Sequence, residues 1–381
     1  MPLSSAKRAW IVIAVVLLCI VAAAVAYYFW QARPLPPIVS TLPGIPAAGP
    51  PPDILSQLPA DAPVVAYIDA GNLRTLQNSP LAAALGLASP GPQADRDYAN
   101  FVRDTGFDYT RDLDHAAVAV WPASLGTPDN ALGEDRVIAI ADGRFNQEKI
   151  KAYALRTGKE IAHDQRPVYE VPGNPPVSLT FLSPTRSALA SGRNATELLA
   201  RVSPNASTSA SRGRAMQSRI QRVAGAPIYA VARTDRLPQS IYAPLHNSSQ
   251  LDALARSIQG VTLAGQSNGN NLRIILEAES NSMNNAMQIS FLLESGKMLG
   301  SAALSDPRNR GQLTKEQLAF LQGLISHATI NQQSKIVRVT LEITPDMLAA
   351  APPPKPAASH APAPTPRTPA PPDTAYPHSS Q

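Results

Sequence analysis

The chain has 381 residues, 44% of them hydrophobic, and 33 Lys and Arg against 28 Asp and Glu give a formal charge of +5. That length allows one or two globular domains, while a small charge scattered among acids, with only 5% aromatic residues, excludes the clustered basic footprint of a nucleic-acid binder. The single cysteine, Cys19, excludes internal disulfides, and its place in an apolar run leaves the rest of the chain without thiol chemistry.

Residues 1–8 end in Lys7 and Arg8, and an uncharged run, AWIVIAVVLLCIVAAAVAYYFW, follows from Ala9 to Trp30. About twenty apolar residues suffice to cross a bilayer, so 9–30 is expected to be a single transmembrane helix. The positive charge before it and the aromatic residues Trp10, Tyr27, Tyr28 and Trp30 at its ends predict a cytoplasmic amino terminus. The expected location is a bacterial inner membrane, with the body in the periplasm and the bilayer as a partner through 9–30. Ala24 and Ala26 also form an A-x-A cleavage pattern, so a removable signal peptide is the alternative, whereas Leu18 before Cys19 does not suit a lipoprotein.

Residues 31–57 read as a Pro-rich linker, PLPP followed by GIPAAGPPP, extended as polyproline II. Residues 349–381 read as a disordered Pro-rich tail with almost no large apolar side chain. Between them, period-two and helical patterns alternate. Residues 58–203 are expected to form a first α+β repeat: a strand at Val64–Ile68, a helix capped by Ser79 and Pro80, a helix in DYANFVRDTG, and strands in HAAVAVWP and RVIAIADGRF. A helix over 146–155, strands in RPVYEVP and VSLTFL and a helix in ATELLARV complete it. Residues 204–222 read as a connector.

A second repeat, 223–348, opens with APIYAVARTD, which echoes APVVAYIDA at Ala62. A helix in SQLDALARSI, strands VTLAG and LRIILEAE, helices MNNAMQISFLL and KEQLAFLQGLI, and a strand pair, ATINQQ and KIVRVTLEIT, follow. Thr314 and Gln317 predict a capping box. The element order suggests the α+β fold class: a transmembrane helix plus two ferredoxin-like, split βαβ repeats with mostly antiparallel sheets.

GQSNG, 265–269, matches the G-x-S-x-G elbow of serine hydrolases, and Asp306 and His327 follow in the order of such a triad. An elbow needs a helix directly after the serine. LRIILEAE instead alternates as a strand, and Asn268-Gly269 favours a hairpin turn. Ser267, Asp306 and His327 are therefore kept only as a weak hydrolase alternative. The six histidines show no metal-ligand spacing, so no metal and no cofactor are expected, and His115 and His327 read as structural or surface residues. The aspartates between Asp95 and Asp114 lack a calcium-loop register and read as caps and ion pairs with Arg96, Arg103 and Arg111. Met283, Met287 and Met298 read as core filler.

LPADAPVVAYIDAGNLRTLQNSPL, followed by FVRDTGFDYTRDLDHAAVAV, resembles uncharacterised envelope proteins of acidobacterial type. These form a domain-of-unknown-function family, and the resemblance implies an N-terminal anchor and a duplicated α+β body but no catalytic residues. The expected function is a non-catalytic, membrane-anchored binding or scaffolding role, with an envelope protein or the cell wall as partner and no nucleic acid. The alternatives are the serine hydrolase and an assembly or secretion accessory acting through the tail.

Overall fold

The computed structural model describes residues 53–75, 96–122, 135–163, 166–172, 176–192, 194–202, 213–237, 248–268, 271–307 and 313–349. The apolar run 9–30, most of the Pro-rich linker, the Ser79–Pro80 cap and the Pro-rich tail after 349 lie outside them.

A short turn at Asp53–Gln57 leads into β1 (Val64–Asp69), α1 (Ala70–Thr75), α2 (Arg96–Thr105), α3 (Tyr109–Asp112), β2 (Leu113–Trp121) and β3 (Arg136–Gly143). Next come α4 (Gln147–Thr157), β4 (Lys159–His163), β5 (Arg166–Val171), β6 (Val177–Ser183), β7 (Arg186–Ser191) and α5 (Ala195–Ala200). The second half holds α6 (Arg214–Gln221), β8 (Ile228–Arg233), α7 (Ser249–Arg256), β9 (Ile258–Asn268) and β10 (Asn271–Ser280). It ends with α8 (Met283–Ser305), α9 (Lys315–Ser326), β11 (Ala328–Gln333), β12 (Ile336–Ile343) and α10 (Pro345–Ala349).

All twelve strands join one antiparallel sheet in the order β11-β12-β10-β9-β8-β1-β2-β3-β7-β6-β5-β4. The expectation of two ferredoxin-like repeats is corrected by this order. A split βαβ unit needs parallel neighbours brought together by crossovers; here each pairing is antiparallel. The two segments that echo each other in sequence, β1 and β8, pair directly, from Val64 opposite Ala232 to Ile68 opposite Ile228, and fuse the halves into a continuous sheet.

The expected membrane anchor is also corrected. Among the described residues no helix is long and apolar enough to cross a membrane. The 23-residue α8 has the length but carries Asn284, Asn285, Gln288, Glu294 and Lys297 along it. The single-pass anchor and the inner-membrane location are withdrawn accordingly, while the run 9–30 expected to meet the bilayer lies outside the described residues.

Strand alternation divides the core between the faces. On one face Val65 and Tyr67 of β1, Ala117 and Ala119 of β2, Ile138 and Ile140 of β3, and Tyr229 and Val231 of β8 are buried under Ile54 and Leu55 of the opening turn, Leu198 and Leu199 of α5 and Met216 and Ile220 of α6. On the other face, at the β10–β12 end, Ala286 and Ile289 of α8 pack with Val337, and Phe320 and Leu324 of α9 pack with Leu272 and Ile343. Local signals place the helices: Asn146, Ser248 and Ser282 each cap a helix through the side chain, and Thr314 with Gln317 forms the expected capping box.

Where α6 meets β9 and β10, the first face carries buried charge. Glu277 has a side chain only 2% exposed and accepts from Arg222 Nε at 3.0 Å and from Arg338 Nε at 2.8 Å. Glu279 accepts from Arg219 and Arg222, each at 3.0 Å. Burial acts to raise the Glu279 pKa, but the hydrogen bonds and charges of Arg219 and Arg222 outweigh it and hold the carboxyl below its ordinary range. Gly260 makes this cluster possible, because a Cβ there would lie 2.2 Å from the Arg219 guanidinium carbon.

Candidate functional site

Each of four adjacent strands runs its core-facing alternation of small or apolar residues into one polar residue at the same end. Asp69 of β1 stands opposite His115 of β2, His115 opposite Asp142 of β3, and Asp142 opposite Arg186 of β7. The result is a row of polar and charged side chains along the rim, about 14 Å long at the usual strand spacing.

The contacts along the row lock it in place. Arg186 makes a fork to Asp142, Nε to Oδ1 at 2.5 Å and Nη2 to Oδ2 at 2.7 Å, and its other nitrogen reaches Asp53 at 3.3 Å. Such bidentate pairs fix geometry as well as charge. His115 Nδ1 is 3.0 Å from the Tyr67 hydroxyl and 3.7 Å from Asp69 Oδ1. Burial, reinforced by the Asp69 charge, pushes the Tyr67 phenol well above its ordinary pKa, so it stays protonated. The Tyr67 hydroxyl and Nδ1 share one hydrogen bond, which fixes the ring's orientation and leaves Nε2 as its second polar atom.

These residues border a cavity of about 690 Å³, lined among others by His115, Asp142, Arg144, Arg166, Ser183 and Arg186. Asp114, also in the lining, is paired with Arg74 at 2.6 Å. Arg144 projects from the end of β3 with an exposed side chain; it donates to the Arg111 carbonyl and lies 3.4 Å from Asp112. The base of the mouth is set by the close approach of β3 to the α3–β2 corner, where Arg144 N donates to Asp112 O at 2.8 Å. Gly143 permits that approach, since a Cβ would stand 2.3 Å from the Asp112 carbonyl oxygen. Gly143→Ala must push two backbones apart, with an expected cost of about 1–3 kcal/mol. A thermal melt of the variant should show it, together with faster amide exchange at Arg144.

The aspartate-rich segment before the site does serve as caps and ion pairs. Asp108 accepts from Thr110 N at 2.9 Å, Asp112 receives Arg111 and the Asp108 amide, and Asp104 pairs with Arg103 and Arg156. Arg111, with the Asp108 amide and Arg144 in support, holds the Asp112 carboxyl below its ordinary range against the opposing effect of burial.

No protein-family model and no curated protein match the chain. Among solved structures, it is similar to crystal form I of TP0453, at 12% identity and a TM-score of 0.41, over 78% of this chain and 96% of that one. Crystal form III of TP0453 gives 11% identity and 0.41 over 80% and 98%, and crystal form IV gives 11% and 0.40 over 84% and 97%. At these values the fold and the site rest on the geometry of this chain itself.

The residues of the hydrolase alternative are not gathered. Ser267 lies within β9 opposite Leu272 of β10, and Asn268 faces Asn271, so the strand turns back as a hairpin where an elbow would start a helix. His327 ends α9 just before β11, three strands away from β9, or about 14 Å. Its Nδ1 lies 2.9 Å from the Gly323 carbonyl oxygen. Asp306 caps the end of α8. Among the described residues no group of three or more His, Cys, Asp or Glu side chains could hold a metal ion.

His115, which reads as structural in the sequence, sits at the centre of the polar row, and Tyr67, Asp142 and Arg186 carry no motif that marks them in the sequence. The available signal was the shared pattern: Tyr67-x-Asp69, His115-x-Ala117-x-Ala119, Ile138-x-Ile140-x-Asp142 and Arg186-x-Ala188-x-Ala190 each end an inward-facing series on a polar residue.

Proposed function

We propose that the chain is a binding protein whose ligand site is the rim cavity, and that the ligand is a small molecule bearing a carboxylate or phosphate group. The observation that supports this is the cavity lining, in which three arginines outnumber two aspartates already engaged by Arg74 and Arg186. Arg186 is held by a fork to Asp142 and by Asp53, so Arg166 and the exposed Arg144, whose contacts to Asp112 and the Arg111 carbonyl lie at the surface, are the cations that meet the ligand. His115 lines the same cavity and adds a polar ring edge. A row of fixed, mutually paired charges orients a ligand without reorganisation, which is what a binding site requires.

Isothermal titration of the full chain with inorganic phosphate, succinate and citrate tests this, with glycerol and putrescine as neutral and cationic controls. The anions should bind and weaken with added salt. Arg144→Ala and Arg166→Ala should each cost roughly tenfold in affinity, as expected for loss of one charged hydrogen bond. Equal binding by the double variant, or a preference for putrescine, would count against the proposal.

A further inference from the structure

Seven large hydrophobic side chains are exposed among the described residues, and six of them belong to α8: Met283, Met287, Phe291, Leu292, Met298 and Leu299. This corrects the expectation that Met283, Met287 and Met298 fill the core. The inner side of the helix is filled by Ala286, Ile289 and Leu293, packed toward Val337 and Ile330. The outer side is a second apolar face, and Phe291 at its middle is 75% exposed. Six such side chains expose apolar surface on the order of 600 Å², the upper end of what a monomer leaves in one patch. That is most of the roughly 800 Å² each partner buries in a standard interface.

We infer that this face is an interface between two copies of the chain, joined by antiparallel packing of their α8 helices. The face is matched to itself. At 100° per residue, Phe291 and Met298 fall to one side of the outer midline and Leu292 and Leu299 to the other, with the small Ser295 between them. A second copy turned end for end about Ser295 brings Phe291 against Met298 and Leu292 against Leu299, the isologous arrangement of a two-fold dimer. Met283 and Leu299 bound the exposed apolar face, which runs about 24 Å along the helix.

The charge on α8 favours a second copy over a lipid surface. Helices that lie on membranes are rich in Lys and Arg along the polar face. The only cation of α8 is Lys297, which donates to the Ala328 carbonyl on β11, with Glu294 as the only acid.

Sedimentation of the full chain tests the interface. The wild type should sediment as a dimer at tens of micromolar, and Phe291→Glu with Met298→Glu should weaken association roughly 100-fold or more. Both residues are exposed, so an unchanged circular dichroism spectrum is expected alongside. In a Cys19→Ser background, Ser295→Cys should form a disulfide-linked dimer on mild oxidation. A monomeric wild type, a dimer that survives the double substitution, or failure of Ser295→Cys to cross-link would overturn the inference. So would a monomer that floats with phosphatidylcholine vesicles through this face.

Discussion

Glu277→Ala is expected to lower the stability of the chain by about 3–5 kcal/mol, read from the midpoint of urea denaturation. The cost is not the loss of an attraction alone. Arg222 and Arg338 converge on Glu277 in a position where its carboxylate is almost fully enclosed, and removing it takes away the buried negative charge that lies between two guanidinium groups. Glu279 relieves Arg222 in part, since it accepts from Arg222 as well as Arg219. Glu277→Gln keeps the shape and one acceptor and should fall between. Replacing Glu277, Arg222 and Arg338 together by apolar residues of similar size should recover most of the loss, because the desolvation of the charges disappears with them. A Glu277→Ala midpoint within experimental error of wild type would show that solvent reaches this cluster.

Arg186→Ala is the second large effect. Arg186 is the one cation on the inner row, and its fork holds Asp142 between His115 and β7. Without it Asp142 is left with a fifth of its side chain exposed and no guanidinium partner. The expected loss is about 2–3 kcal/mol, below the full cost of stranding a buried charge because some solvent reaches the carboxylate. Anion binding should weaken as well, since the freed Asp142 charge then faces the cavity. Arg186→Lys restores the charge without the fork, so it should recover stability only in part. Equal midpoints for Lys and Ala would place the effect in packing rather than in charge.

Several local features were legible in the sequence because they depend on neighbours along the chain. The capping box at Thr314 and the alternation of LRIILEAE both arise within a few residues. Asn268-Gly269 likewise gave the hairpin against the elbow. Strand alternation assigns side chains to faces but not strands to neighbours. Nothing local says that β1 pairs with β8 across more than 150 residues, so the echo between APVVAYIDA and APIYAVARTD read as two separate repeats rather than as the two central strands of one sheet. The polar row was hidden for the same reason, since Asp142 and Arg186 meet only in the register of β3 against β7, 44 residues apart along the chain. The face of α8 was misread because a helix apolar on both sides has the pattern of a buried one.

Hydrogen exchange of the full chain with and without the tightest-binding anion is the most direct test that the rim cavity is the ligand site. Protection is predicted at His115, over Asp142–Arg144 and over Ser183–Arg186, with the β9–β10 hairpin and α8 unchanged. Protection centred on Ser267 or on α8, with none along the polar row, would contradict it.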